Sequence, residues 1–237
     1  MGLKTYYGRV ARSAPSVARS TALLGVLARS HRPALRHVRN LSAVYDAEDP
    51  ARLDLPWWSY GIIARVEEFL AERPQARVFE FGSGASTPWL AKRAASVHSV
   101  EHDLDFVKVV RGLLEGFENV AIHTVAVPVA PDGNPAVGSD RDGHEGLDFL
   151  EYVRVIDEVG GPFDVIVVDG RLRVASLRRA IPHVAPDGVI PFDDGERHRC
   201  AAALEMPGLS VEVLHTAPHC LPCRTSTALS QRSGDPL

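Results

Sequence analysis

The chain has 237 residues, 45% of them apolar, with a formal net charge of −4 and only three cysteines. That length suits one generous domain, or one domain with an appendage, and the apolar share is enough to fill a core. Three cysteines argue against a disulfide framework and suit a reducing cytosol, no apolar run approaches the roughly 18 residues of a membrane span, and Thr21–Ala28 is too short for a signal peptide.

The charge is unevenly spread. Residues 1–45 carry eight Lys/Arg and no acid, which leaves 18 basic and 30 acidic residues in the remainder, a balance of −12. Val17, Leu24, Leu27 and Leu35 recur among the arginines in an amphipathic helical pattern. A cap packed on the acidic body, a helix lying on an anionic membrane and an unordered arm all accommodate that pattern. Residues 1–55 therefore read as a basic helical extension and 56–237 as the ligand-binding domain. The expected location is cytoplasmic, or peripheral to a membrane where the arm docks. Oligomeric state is not legible.

Asp46–Pro56 reads as a loop leading into Trp57 and Trp58, which suit either a lid over a flat ring or a buried core. Ile62, Ile63, Val66, Phe69 and Leu70 then recur at helical spacing and stop before Pro74. Val78–Phe81 is a short apolar run that turns through Gly82-Ser83-Gly84 into a helical stretch from Pro88, and Val97–Val100 is a second strand closing on Glu101-His102-Asp103. A helix over Leu104–Glu115 and a strand over Val120–Val127 follow. Pro128–Glu145 is Gly-, Pro- and Asp-rich, the composition of a long surface loop that walls or covers a site. Leu147–Val159 is a helix with Leu147, Leu150, Val153 and Ile156 on one face. Phe163–Val168 is a strand apolar throughout, as in a parallel sheet covered on both faces. Arg171–Val184 is helical, Gly188–Phe192 a strand, and Val211–Leu214 and Ser226–Leu229 close the chain.

Alternation of this kind predicts an α/β fold, a doubly wound, mostly parallel seven-stranded sheet with ligands at the carboxyl ends of its strands. Glu101/Asp103, Asp169 and Asp193/Asp194 fall at those ends and should share one rim. A carboxylate closing the second strand is placed to accept both hydroxyls of a ribose. Gly82-x-Gly84-x-x-Thr87 lacks the third glycine of a dinucleotide site. Glu80, beside the turn, repels a pyrophosphate and suits a cationic ligand, which points to S-adenosylmethionine instead of NAD.

Phe79–Thr87 (FEFGSGAST) resembles the glycine turn of class I S-adenosylmethionine-dependent methyltransferases, in a variant whose second strand closes on SVEHD, here Ser99–Asp103. VIVVDGRLRVA (Val165–Ala175) and VIPFDDGER (Val189–Arg197) look like that family's fourth and fifth strand ends. The likeness spans roughly 56–230 and implies the Rossmann-like methyltransferase fold. By it, Glu80, Gly82 and Gly84 line the methionine end, Glu101 holds the ribose, and His102 lies near the adenine. Ser83, Ser86 and Thr87 are polar contacts or helix caps, and Asp169 joins the cofactor set. In metal-dependent O-methyltransferases the corresponding acids bind Mg²⁺, which implies a set of Asp169, Asp193 and Asp194. Arg171 departs from the sugar-modifying pattern, where an acid is expected. Without a metal, Asp169 or Asp194 would orient or deprotonate a hydroxyl.

The expectation is thus methyl transfer to an oxygen of a small molecule or glycan; the alternative is a non-catalytic module of the same fold that docks through its basic arm. The acidic body disfavours a nucleic-acid partner. A zinc site can be drawn from Cys220, Cys223, His215, His198 and Cys200, but without a second CxxC the loop cysteines read as incidental.

Overall fold

The structure, a computed structural model, describes residues 51, 54–139, 143–192, 205–206, 208–216 and 225–232. The basic arm, Asp193, Asp194 and all three cysteines lie outside the described residues, and with them the metal pair, the zinc reading and the membrane-docking reading. No helix among the described residues is long and apolar enough to cross a membrane.

In chain order the elements are α1 (Tyr60–Ala71), β1 (Arg77–Phe81), α2 (Ser86–Ala91), β2 (Ser96–Glu101), α3 (Leu104–Leu113), β3 (Val120–Thr124), α4 (Leu150–Val159), β4 (Phe163–Val168), α5 (Arg173–Ala180), β5 (Val184–Phe192), β6 (Leu209–Thr216) and β7 (Thr225–Arg232). The expected sheet forms in full: seven strands in the order β3-β2-β1-β4-β5-β7-β6, the first five parallel and β7 antiparallel to both its neighbours. The order reverses between β1 and β4, so their carboxyl ends open the crevice in which such sheets take ligands.

Alternation along β1 supplies the two cores. Phe79 and Phe81 face α4 and α5, where Phe149, Tyr152, Ile156, Phe163 and Leu177 are buried with them. Val78 faces α1 and α2, packing with Ile62, Val66, Leu70, Trp89 and Leu90. Glu80 points the same way as Val78 and is fully buried.

Several boundaries move for local reasons. α4 begins at Leu150, not Leu147, because the Asp148 carboxylate accepts the Leu150 N–H at 3.0 Å and the Ala136 and Val137 N–H groups at 3.1 Å each. That ties the Pro128–Glu145 loop to the helix start. The buried residues of α4 are Tyr152, Val153, Val155 and Ile156, with Phe149 buried just ahead of it; of the expected face, Val153 and Ile156 are buried and Leu147 and Leu150 only partly so. α5 is shorter than Arg171–Val184: Leu172 takes a left-handed conformation at φ 54°, and β5 already begins at Val184.

The two tryptophans divide the roles considered for them. Trp58 is 1% exposed and meets Trp89 edge-to-face at 5.7 Å, whereas Trp57 is 45% exposed and stands at the crevice. The chain ahead of α1 is clamped there by Asp54, which pairs with Lys92 at 2.8 Å and Arg93 at 2.9 Å. Arg93 in turn lies 4.2 Å over the Trp89 ring.

Candidate ligand-binding site

A cavity of about 470 Å³ opens at the reversal point of the sheet, between the β1, β2 and β4 ends. Backbone bonds stitch those ends together: Gly82 N–H donates to Val100 O at 3.0 Å and Asp169 N–H to Phe81 O at 3.3 Å. Gly82 has φ +91°, and a Cβ there would stand 2.5 Å from Gly170 Cα and 2.9 Å from Gly170 N. The two turns are in contact through glycines, which brings the strand ends close enough to share one ligand.

Glu101 closes β2 and lines this cavity while only 5% exposed. One carboxylate oxygen accepts Ser83 N–H and Ser83 Oγ, both at 3.2 Å. The other accepts His102 N–H at 2.8 Å, Asp103 N–H at 3.0 Å and His102 Nδ1 at 2.8 Å. Burial pushes its carboxyl up, but the His102 side chain and the Asp103 and His102 amides outweigh that and hold it below the usual carboxylate range. Glu101 is thus an ionised acceptor aimed at the cavity. Asp103, its expected companion, instead caps α3, accepting Asp105 and Phe106 N–H at 3.1 Å each.

Of the sequence candidates, Gly82, Ser83, Gly84, Ser86, Glu101, His102, Asp103 and Asp169 all line the cavity. Glu80 and Thr87 do not; both are 0% exposed beneath the turn. Thr87 Oγ1 accepts Gly84 N–H at 3.0 Å and donates to Glu80 at 2.7 Å, so it braces the turn from below. Glu80 also accepts the hydroxyls of Ser86 and Ser99. Of those three hydroxyl residues, Ser86 is the one that lines the cavity wall. The alternation of β1 explains the placement, because Glu80 is turned toward α2 with Val78.

Burial pushes the Glu80 carboxyl up to about 7 although its three hydroxyl partners and nothing else nearby favour the ionised form. The sign follows: a carboxyl raised on folding stabilises the fold fully below its unfolded value and loses that contribution as pH rises through the folded value. Stability should therefore decline between about pH 4.5 and 7, by about 3 kcal/mol from this group. Denaturation of Glu80→Gln, which keeps the shape without the proton equilibrium, should show that slope flattened. An unchanged slope would mean that Glu80 is ionised in the fold at all these pH values.

At the β4 end, Asp169 accepts from Arg173 at 2.8 Å, with both side chains about four-fifths buried. The acid expected to act on a hydroxyl is thus held by a guanidinium one helical turn away. Arg171 and Arg173 both line the cavity beside it. Among the described residues no group of three His, Cys, Asp or Glu side chains is close enough to hold a metal ion.

The sequence reading missed Tyr152, Phe106, Gly170 and Arg173 as lining residues. The Gly170 signal was present in Asp169-Gly170 after an apolar strand. Tyr152 carried none beyond a place in an amphipathic helix.

No family model matches the chain, and no curated protein matches it. Solved structures share its fold. It is similar to an rRNA methylase from Streptococcus thermophilus at 12% identity and TM-score 0.50, covering 72% of this chain and 95% of that one. A precorrin-6y C5,15-methyltransferase from Geobacter metallireducens aligns at 14% identity and TM-score 0.50, over 73% and 88% of the two chains. A methyltransferase-like protein from Silicibacter pomeroyi aligns at 22% identity and TM-score 0.44, over 73% and 88%. At these identities the likeness establishes the Rossmann-like fold expected from the sequence.

Proposed function

We propose that the chain is an S-adenosylmethionine-dependent methyltransferase acting on a hydroxyl oxygen of a small molecule or glycan. The observation that carries this reading is the pairing, in one strand-end cavity, of a turn that only glycine can make with an ionised, cavity-facing Glu101. The turn gives close backbone approach, and the carboxylate suits a vicinal diol. Both fold neighbours at TM-score 0.50 are named for methyl transfer, which supports the reaction class; rRNA and precorrin are their own acceptors. The acidic balance of the body favours an uncharged or small acceptor over a phosphate backbone.

Bound at such a site, S-adenosylmethionine would supply an electrophilic methyl group on a positive sulfur. The chain's own work is then alignment. Gly82–Gly84 would take the amino-acid end, Glu101 the ribose hydroxyls, and His102, which lines the cavity and is backed by the buried Phe149 ring, would lie beside the base. Direct displacement depends more on alignment than on proton transfer, so positioning is where these residues would contribute most. Asp169, oriented by Arg173, is the group at the β4 end that would orient the acceptor hydroxyl. Of the implied Mg²⁺ set, Asp193 and Asp194 lie outside the described residues and Asp169 is ion-paired, so no step here runs through a metal.

That ion pair is also what favours the second reading, a ligand-binding module without turnover, since the Asp169 carboxylate is already engaged by Arg173. Calorimetry with S-adenosylmethionine and S-adenosylhomocysteine tests the first reading directly. Micromolar binding is expected, and no heat at millimolar ligand would sink it. Formation of S-adenosylhomocysteine with hydroxylated acceptors, followed with and without residues 1–45, separates enzyme from docking module.

A further inference from the structure

Tyr152 is 1% exposed, yet its hydroxyl has no hydrogen-bond partner. Among the described residues only Ser230 Oγ shares that condition, and it sits inside the sheet on β7, away from the cavity. Tyr152 differs because it lines the cavity. Its ring is packed between Phe81 and Phe149 and meets His102 edge-on at 6.0 Å, while its oxygen stands over Gly170, where any Cβ would strike it. A phenylalanine would fill the same aromatic space. The hydroxyl thus bears the cost of burial with no return inside the protein, which is the mark of a group whose partner arrives from outside.

The surroundings decide what that partner is. Burial first, then the negative charge of Glu101 and Asp169, joined by Glu80 where it is ionised, keeps the phenol protonated against the opposing charge of Arg173. The lone pairs of a protonated phenol can accept from a cationic donor, and the negative charge around it attracts a cation and repels a carboxylate. The position, over the junction of the β1 and β4 turns, is at the end of the cavity assigned to the amino-acid portion of the cofactor. Glu80, the carboxylate that the sequence offered for that cation, is sealed under the hydroxyls of Ser86, Ser99 and Thr87.

We propose that Tyr152 is a ligand-binding residue whose hydroxyl oxygen accepts a hydrogen bond from the cationic amino group of the bound S-adenosyl cofactor. The inference rests on the cofactor reading above. It gives Tyr152 the recognition of the cation.

The test is Tyr152→Phe in the full chain, titrated with S-adenosylhomocysteine and with methylthioadenosine, the same thioether nucleoside without the amino-acid group. Binding of S-adenosylhomocysteine should weaken about tenfold, the size of one hydrogen bond to a charged group. Methylthioadenosine should bind both proteins within about twofold of each other, because it has no amino group to lose. The ligand-free variant should melt no lower than the wild type, since it sheds an unpartnered buried hydroxyl. Equal S-adenosylhomocysteine affinity overturns the proposal, and so does an equal loss for both ligands, which would move the contact to the nucleoside. A variant that melts lower or fails to fold overturns it too, because the hydroxyl would then have a structural partner. If the wild type binds neither compound, it is the cofactor reading that has failed, and this inference falls with it.

Discussion

Gly82→Ala is expected to lower stability by about 4 kcal/mol and to abolish binding of S-adenosylhomocysteine. Two independent costs add. At φ +91° an L side chain is strained whatever the space around it, which costs about 1–2 kcal/mol. The new methyl would also stand 2.5 Å from Gly170 Cα and 2.9 Å from Gly170 N, and these are backbone atoms with no rotamer to give. Gly170 cannot retreat, since its own free side is filled by Phe81 O and the Tyr152 hydroxyl. Something must part, and what parts is the contact between the β1 and β4 turns that shapes the cavity. Gly84→Ala is the control from the same turn. No atom lies within 4 Å of its added methyl and its φ is not left-handed, so stability should stay within about 0.5 kcal/mol. Denaturation midpoints of the two variants decide the matter. If they match, the turn-to-turn contact contributes nothing, and the account of the site loses its base.

The contrast between these glycines was not legible in the sequence, where both stand in the same GxG. What separates them is a neighbour nearly ninety positions away. The same limit recurs elsewhere. The strands of the parallel sheet were legible because each is a short apolar run bounded by Gly, Pro or an acid; of the acids at their ends, Glu101, Asp103 and Asp169 line one cavity, and Asp193 and Asp194 lie outside the described residues. Glu80 was legible as unusual but not as sealed, because its environment comes from Ser86 and Thr87 on α2 and Ser99 on β2. Asp103 looked like a site acid and does line the cavity, but it also caps α3, a role that depends on where that helix starts. Tyr152 was invisible because it adjoins Val153 and Ile156 on the buried side of α4, and only the packing of that helix on the strand ends brings it to the cavity wall. In each case the chemistry was readable from residue type, and the partner was not.

Glu101→Ala should weaken S-adenosylhomocysteine binding at least about 100-fold and cost about 3 kcal/mol of stability, an effect second only to that of Gly82→Ala. The stability loss comes from the donors left behind. Ser83 N–H and Oγ, His102 N–H and Nδ1, and Asp103 N–H all converge on this one carboxylate. Without it the turn after β1 loses its bond to the end of β2, so Ser83 and the glycine turn are no longer held against the rim. The binding loss adds the missing acceptor for a vicinal diol; Asp103, the other acid lining the β2 side of the cavity, has one oxygen taken by the Asp105 and Phe106 amides of α3. Glu101→Gln separates the two contributions. It keeps one acceptor oxygen but sets an amide N–H₂ among donors, so it should recover some stability and little affinity. The pH response has the opposite sign to that of Glu80. Glu101 has its carboxyl depressed on folding, so its contribution is present above the unfolded value near pH 4.5 and is lost as pH falls through the folded one. Glu101→Ala should therefore blunt acid unfolding, whereas Glu80→Gln flattens the decline toward neutrality. A Glu101→Ala protein that keeps wild-type affinity would place the ribose elsewhere and remove the observation on which the methyltransferase reading stands.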